Sequence, residues 1–212
     1  MRDIILLPTY NERENIRDIV PRIFAMCPDI SVMVIDDNSP DGTAQIVEEL
    51  RATYPSLMLH KRPKKEGLGL AYIDAFRRVM QMPDVRAIIM MDADLSHDPS
   101  YLPRMRELLA ASDMVIGARY IRGAGTKGWG MHRKLLSKVG NWYARLITGM
   151  PIHDCTGGFN AIRVSLLRNI SLDALSHFRG YAFMMALKYS LISAHARVCE
   201  LPIIFKNRTK LG

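Results

Sequence analysis

Short apolar runs alternate with stretches of helical spacing through the first half of the chain. Residues 4–7 (IILL), 32–35 (VMVI), 57–59 (LML) and 87–91 (AIIMM) read as buried strands. Between them Ile16, Ile19, Val20, Ile23 and Phe24, then Ala44, Val47 and Leu50, then Ile73, Phe76 and Val79 recur at helical intervals. Strands separated by helices build a mostly parallel sheet covered on both faces, and such sheets bind ligands beyond the C-terminal ends of their strands. The residues just after each run are therefore where chemistry is expected.

Past a further strand at residues 113–117 (DMVIG) the pattern breaks. Residues 119–132 carry Gly123, Gly125, Gly128 and Gly130 with little periodicity, and read as a long functional loop. Helical spacing resumes at Leu135, Leu136, Val139, Trp142 and Leu146 and again over residues 183–192, and residues 198–205 read as a last strand. The helix from Leu135 mixes apolar with basic residues. That suits a membrane interface, although the commoner role of such a pattern is a helix seated on a core.

A length of 212 residues fits one ordinary α/β domain, and 49% hydrophobic with 24% charged residues is the composition of a folded globular chain. Charge divides unevenly. Residues 1–118 hold 14 Lys and Arg against 18 Asp and Glu, a net of −4, whereas residues 119–212 hold 15 against 3, a net of +12. The second part is thus expected to meet something anionic: nucleic acid, a phosphorylated substrate or an anionic membrane. It lacks the basic and aromatic interleaving of a base-stacking platform, which argues against nucleic acid. Cys27, Cys155 and Cys199 form no CxxC and point to a reducing compartment. No apolar run approaches the length of a membrane span or a secretion signal.

Acidic residues gather at strand ends, Asp36 and Asp37 after one strand and Asp92 and Asp94 after another. Carboxylates in an Asp-Ala-Asp placement at the mouth of a parallel sheet suit a hard divalent cation that also holds phosphate oxygens. GLGLAY at residues 67–72 is no dinucleotide loop, because KRPKKE rather than a strand precedes it and Tyr72 takes the sixth place. No GxxxxGK[ST] loop is present, and His97 beside a turn reads as structural.

Eight segments taken in order resemble the family 2 glycosyltransferases that make dolichyl- or polyprenyl-phosphate mannose. They are PTYNE (8–12), VIDDNSPDGT (34–43), GLGLAY (67–72), MDADLSHDP (91–99), GARY (117–120), GWGMHRKLLS (128–137), DCTGGFNA (154–161) and GYAF (180–183). The resemblance implies a single GT-A, Rossmann-like domain, a mostly parallel sheet flanked by helices. Residues 1–118 would be its nucleotide-sugar and metal half and residues 119–212 its basic, acceptor-facing half. It implies inverting transfer of mannose from GDP-mannose to dolichyl or polyprenyl phosphate. Pro8, Tyr10, Glu12, Ile35 and Asp37 would cradle the nucleoside. Asp92, Ala93 and Asp94 would meet ribose and diphosphate, with Asp94 and Ser96 around Mg2+ or Mn2+. Arg119, Arg133 and Ser137 would hold the acceptor phosphate, and Arg119, Arg179 and Arg208 would serve the donor; Asp94 and Arg119 are the catalytic pair. Peripheral attachment to the cytoplasmic face of an anionic membrane is also implied. The sequence ends at FKNRTKLG, within a motif that in the family continues through SK, so a membrane-anchoring subunit or a further C-terminal segment is among the implied partners.

Two departures stand out: MMA follows Phe183 where the family often has Gln-Ile-Glu, and Asn160 stands where Arg is frequent. Two alternatives remain open: transfer of glucose from UDP-glucose to undecaprenyl phosphate, and a non-catalytic subunit that binds nucleotide or lipid phosphate.

Overall fold

The computed structural model describes residues 1–207. Its strands are β1 (Arg2–Thr9), β2 (Ser31–Asp36), β3 (Leu57–Lys61), β4 (Val85–Met90), β5 (Met114–Ala118), β6 (Gly125–Lys127), β7 (Asn160–Arg163), β8 (Val198–Pro202) and β9 (Ile204–Lys206). Its helices are α1 (Arg13–Met26), α2 (Thr43–Arg51), α3 (Leu68–Met80), α4 (Leu102–Leu108), α5 (Met131–Thr148), α6 (Val164–Leu167), α7 (Leu172–Leu175) and α8 (Tyr181–Ser193). Seven strands make one sheet in the order β3-β2-β1-β4-β7-β5-β8, and β6 pairs with β9 in a separate ribbon. Every pairing in the large sheet is parallel except those of β7, which runs antiparallel between β4 and β5.

Alternation along β1 explains why both faces of the sheet are covered. Ile4 and Leu6 join Ala71, Tyr72 and Phe76 of α3 in one buried layer, and Ile5 and Leu7 join Ile16, Ile19 and Ile23 of α1 in the other. Successive side chains of a strand point to opposite faces, so a continuous apolar run needs helices on each side. Gly69 marks a tight seam: a Cβ there would lie 3.0 Å from the ring of Phe183, and Tyr72 stacks on the same ring at 6.3 Å. GLGLAY is thus a packing segment at the start of α3, against the GYAF start of α8.

Where the structure departs from the sequence pattern, the elements are short. The glycine-rich stretch is not wholly a loop, because β6 lies within it. Residues 198–205 form two strands, β8 on the large sheet and β9 on the ribbon. Pro202 ends β8 at the sheet edge, where a missing N–H is tolerated. The pattern also passed over β7, of four residues, and α4. Among the described residues no helix is long and apolar enough to cross a membrane.

Candidate active site

Three turns stand at the C-terminal ends of β1, β2 and β4, and each contains one non-glycine residue in the left-handed region: Asn11 (φ 59°), Asn38 (φ 56°) and Leu95 (φ 63°). Such backbone is disfavoured and persists where surrounding bonds hold it. Here the first two turns are stitched together. The Asn11 N–H donates to Ser39 Oγ (3.0 Å), the Glu12 N–H to Thr43 Oγ1 (3.1 Å) and the Arg13 N–H to Asp41 Oδ2 (3.1 Å). Pro8 and Ile35 are cross-strand partners in this register. Asp37 pairs with the buried guanidinium of Arg62, and burial pushes its carboxyl above the ordinary value even so. The Tyr10 ring is partly exposed beneath the Lys65 ammonium, 3.9 Å from its centroid, while Glu12 accepts from Asn15 Nδ2 (2.6 Å). The five residues expected to cradle a nucleoside therefore lie along one rim.

The two acidic pairs are not at adjacent strand ends, since β1 separates β2 from β4. At about 4.8 Å per strand that puts them roughly 10 Å apart, too far to share one ion. Among the described residues no three His, Cys, Asp or Glu side chains converge to hold a metal. What β4 offers is a hard-oxygen turn. Asp94 Oδ1 accepts from the Ser96 N–H (3.1 Å), and Ala93 is buried. The Ser96 hydroxyl is buried without a hydrogen-bond partner among the described residues. That donor set fits a divalent cation that draws its other ligands from a diphosphate. His97 is structural, as its sequence context suggests. Its ring stacks on Phe159 at 4.9 Å, its Nδ1 accepts from the Asp92 N–H (3.0 Å), and burial lowers its pKa.

Because β7 runs antiparallel, the loop that precedes it reaches the same edge. Gly158 lies beside the first acidic residue of the turn after β4: a Cβ on it would stand in ordinary contact, 3.8 Å from the Asp92 carboxylate. On the other side of the loop the buried carboxylate of Asp154 takes Arg119 Nε (2.7 Å) and Nη2 (2.8 Å), and Nη2 also reaches Thr156 Oγ1 (2.9 Å). Burial alone would raise the Asp154 pKa, but the Arg119 guanidinium holds it below the ordinary value. Arg119 Nη1 takes no part in these bonds. Arg119, Arg133 and Ser137 share the lining of one cavity of about 420 Å³. Arg133 stacks over Trp129, 4.1 Å from its centroid, and Ser137 Oγ lies 2.5 Å from Tyr120 Oη. Two expected residues fall elsewhere. The Arg179 guanidinium is turned onto the carbonyls of Ser176 (2.5 Å) and Phe178 (3.4 Å) in its own loop, and Arg208 lies outside the described residues.

Residues 4–171 match the model of the family described as Glycosyl transferase family 2. The chain belongs to that family. Two family relatives are similar over nearly its whole length: polyprenol monophosphomannose synthase of Mycolicibacterium smegmatis, 38% identical over 98% of this chain and 78% of its own, and undecaprenyl-phosphate mannosyltransferase of Micrococcus luteus, 37% identical over 98% and 85%. Among solved structures, the mannosyltransferase PcManGT of Pyrobaculum calidifontis in complex with GDP-Man and Mn2+ superposes with a TM-score of 0.66 at 20% identity, over 99% of this chain. This chain spans 57% of that one. Glucosyl-3-phosphoglycerate synthase of Mycobacterium tuberculosis, in complex with Mn2+, uridine diphosphate and phosphoglyceric acid, gives the same TM-score at 17% identity. The GT-A fold of the family is the fold observed here.

Sequence reasoning within the family missed the partners of Arg119. Asp154 carried two signals that assigned it no role: it opens the DCTGGFNA segment, and it is one of three acidic residues in a strongly basic half. Lys188 gave no signal inside an apolar helix. It is wholly buried, and its Nζ donates to the carbonyls of Asp154 (2.7 Å) and Gly157 (2.9 Å), bracketing the turn that holds Arg119. Asn160, one of the family departures, donates to that same Gly157 carbonyl (3.0 Å). Burial lowers the Lys188 pKa from 10.5 to about 8 despite the neighbouring carboxylate. Between those values the unfolded chain binds more protons than the folded one, so this lysine makes stability rise with pH. Urea unfolding of wild type and Lys188→Met at about pH 7.5 and pH 9.5 should show the stability gap moving by about 2 kcal/mol in favour of wild type. A gap that does not move would assign Lys188 an ordinary pKa.

Proposed function

We propose that this chain transfers mannose from GDP-mannose to a dolichyl or polyprenyl phosphate with inversion at the anomeric carbon, giving polyprenyl-phosphate mannose and GDP. One observation carries the reading: the loop before β7 touches both ends of such a reaction, Gly158 beside Asp92 and Asp154 with Thr156 on Arg119. An acidic, metal-competent turn and a basic anion cavity are thus held together by six residues. The names of the two bacterial relatives support mannose as the sugar and a polyprenyl phosphate as the acceptor.

In this reading Pro8, Tyr10, Glu12, Ile35 and Asp37 hold the nucleoside, and Asp92, Ala93 and Asp94 meet the ribose and diphosphate. Asp94 and the Ser96 hydroxyl would hold Mg2+ or Mn2+, which when bound neutralises the charge that develops on the leaving diphosphate. Arg133, Ser137 and Arg119, whose Nη1 makes no hydrogen bond among the described residues, orient the acceptor phosphate. An acceptor oxygen attacks the anomeric carbon, and the bond to GDP breaks with its electron pair. A phosphate monoester is already anionic at neutral pH, with a second pKa near about 6, so positioning matters more than deprotonation and no general base is required. The lipid acceptor and the basic second half favour peripheral work at the cytoplasmic face of an anionic membrane.

Calorimetry with GDP-mannose and UDP-glucose, each with Mn2+ and then with EDTA, tests the donor side. Metal-dependent binding of GDP-mannose well above UDP-glucose is expected. A preference for UDP-glucose would keep the site and replace the sugar, and no binding of either would overturn transfer altogether.

A further inference from the structure

Lys188 takes no part in the mechanism above, yet it is wholly buried on α8. A methionine would fill much the same space without taking an ammonium out of water, which is costly unless the charge finds partners. The partners it finds are two backbone carbonyls, those of Asp154 (2.7 Å) and Gly157 (2.9 Å). The charged groups facing it are Asp154, Arg119 and Glu200, with the Cys155 thiol beside them.

Those carbonyls begin and end a turn whose N–H groups are held by other side chains. The Asp154 N–H donates to Glu200 Oε1 (3.1 Å) of β8, the Cys155 N–H to Asn141 Oδ1 (2.7 Å) of α5, and the Gly157 N–H to Asp154 Oδ1 (2.9 Å). A Cβ at Gly157 would lie 3.2 Å from the Asp154 carboxylate, so the turn closes tightly on the group it carries. A side chain locked in this way fixes the orientation of its own partner, and the partner here is Arg119. Lys188 further joins two walls of one cavity. Tyr181, Met185 and Lys188 recur at intervals of four and three along α8, and the first two line the cavity that Arg119, Thr156 and Arg133 also line.

We propose that Lys188 is a positioning residue of the transfer reaction: by bridging the carbonyls of Asp154 and Gly157 from α8, it fixes the direction in which Asp154 presents the Arg119 guanidinium to the acceptor phosphate. This rests on the acceptor reading above and adds what holds the arginine. The donor side depends less on Lys188, because Gly158 stands only in ordinary contact with Asp92, whereas the Asp154 carboxylate is hydrogen-bonded to Arg119 through its backbone N–H, Nε and Nη2. Asn160 belongs to the same device. Its Nδ2 shares the Gly157 carbonyl (3.0 Å), so a longer, cationic side chain at 160 would compete for the oxygen that Lys188 serves. In this chain the cation comes from α8 and position 160 stays neutral.

The test is steady-state transfer from GDP-mannose to farnesyl phosphate, a short polyprenyl phosphate, together with equilibrium binding of farnesyl phosphate. Lys188→Met is expected to raise the KM for farnesyl phosphate at least about tenfold, as losing one hydrogen bond from a charged group would, and to leave the KM for GDP-mannose within about twofold. Binding of farnesyl phosphate should weaken by the same factor. Lys188→Gln, which keeps an N–H donor, should fall between the two and supplies the comparison if Lys188→Met does not fold. Adding Asn160→Arg to Lys188→Met should recover most of the lost acceptor KM, because the cation then reaches the turn from β7; a general loss of stability would show no such coupling. A lower kcat with both KM values unchanged, an equal rise in both, or a double variant no better than Lys188→Met overturns the assignment. So does a wild type that does not bind farnesyl phosphate. If binding behaves as expected but wild type transfers no mannose to farnesyl phosphate, Lys188 keeps its place and the acceptor reading falls.

Discussion

Replacing Asp94 by alanine should abolish sugar transfer, by at least about a thousandfold in kcat, and leave the fold in place. The expectation follows from position. Asp94 sits on the left-handed turn after β4, where backbone at Leu95 is held off its preferred conformation and the Ser96 hydroxyl is buried nearby. Removing a group that anchors charge stabilisation at a departing diphosphate forfeits roughly 4 kcal/mol of barrier lowering, which is a factor of about a thousand. The structural loss is smaller. Asp94 accepts from the Ser96 N–H, and a hydrogen bond of this kind contributes about 1 kcal/mol of a total near 5 to 15 kcal/mol. Asp94→Ala should thus melt within a few degrees of wild type but lose the Mn2+-dependent part of its GDP-mannose binding. Retained turnover with an unchanged metal response would remove Asp94 from that role.

The largest effect on stability is expected at Asp154. Its carboxylate is fully buried, takes two nitrogens of Arg119, and also accepts from the Arg119 N–H (3.0 Å) and the Gly157 N–H (2.9 Å). Asp154→Ala leaves the Arg119 guanidinium buried against a cavity wall, with Lys188 close by. Breaking a buried pair in this way costs about 3 to 5 kcal/mol, which lowers the melting temperature of a chain this size by roughly 10 °C. Removing both charges is a different matter, because a buried pair replaced by apolar groups is often near neutral. The double variant Asp154→Ala with Arg119→Met should therefore be more stable than Asp154→Ala alone, while remaining inactive for want of Arg119 at the acceptor phosphate. Thermal unfolding of the three variants decides it. Additive losses would mean that the two side chains do not act as a pair.

That the residues of interest follow β1, β2 and β4 was legible from sequence because the signals are local. A strand ends, an acidic or small residue follows, and the next helix begins; PTYNE, VIDDNSPDGT and MDADLSHDP each carry that change of period within ten residues. The cavity of Arg119, Arg133 and Ser137 was legible only through the resemblance and the excess of basic residues, without the contacts that hold it. Arg119 meets Asp154 across 35 positions and Lys188 meets the same turn across 34, and both meetings depend on β7. Four residues with only Ala161 and Ile162 as apolar members make no periodic signal, so neither β7 nor its antiparallel direction could be read in advance.

The alternation of apolar runs and helical stripes, the order of strands and helices in the first half, the acidic strand ends and the division of charge were all set by the sequence alone. Each is a property of neighbours along the chain, where side-chain period and backbone geometry act directly. Tertiary structure decided the rest. It put β1 between the two acidic pairs, which sets them too far apart to share one ion. It turned Arg119 from an exposed cation into half of a buried pair. It also left α5 lying with its apolar residues in the open, although the same spacing would serve equally well against a core. Burial and charge pairing depend on which distant segments arrive at a site, and hydrophobic spacing carries no information about what lies opposite.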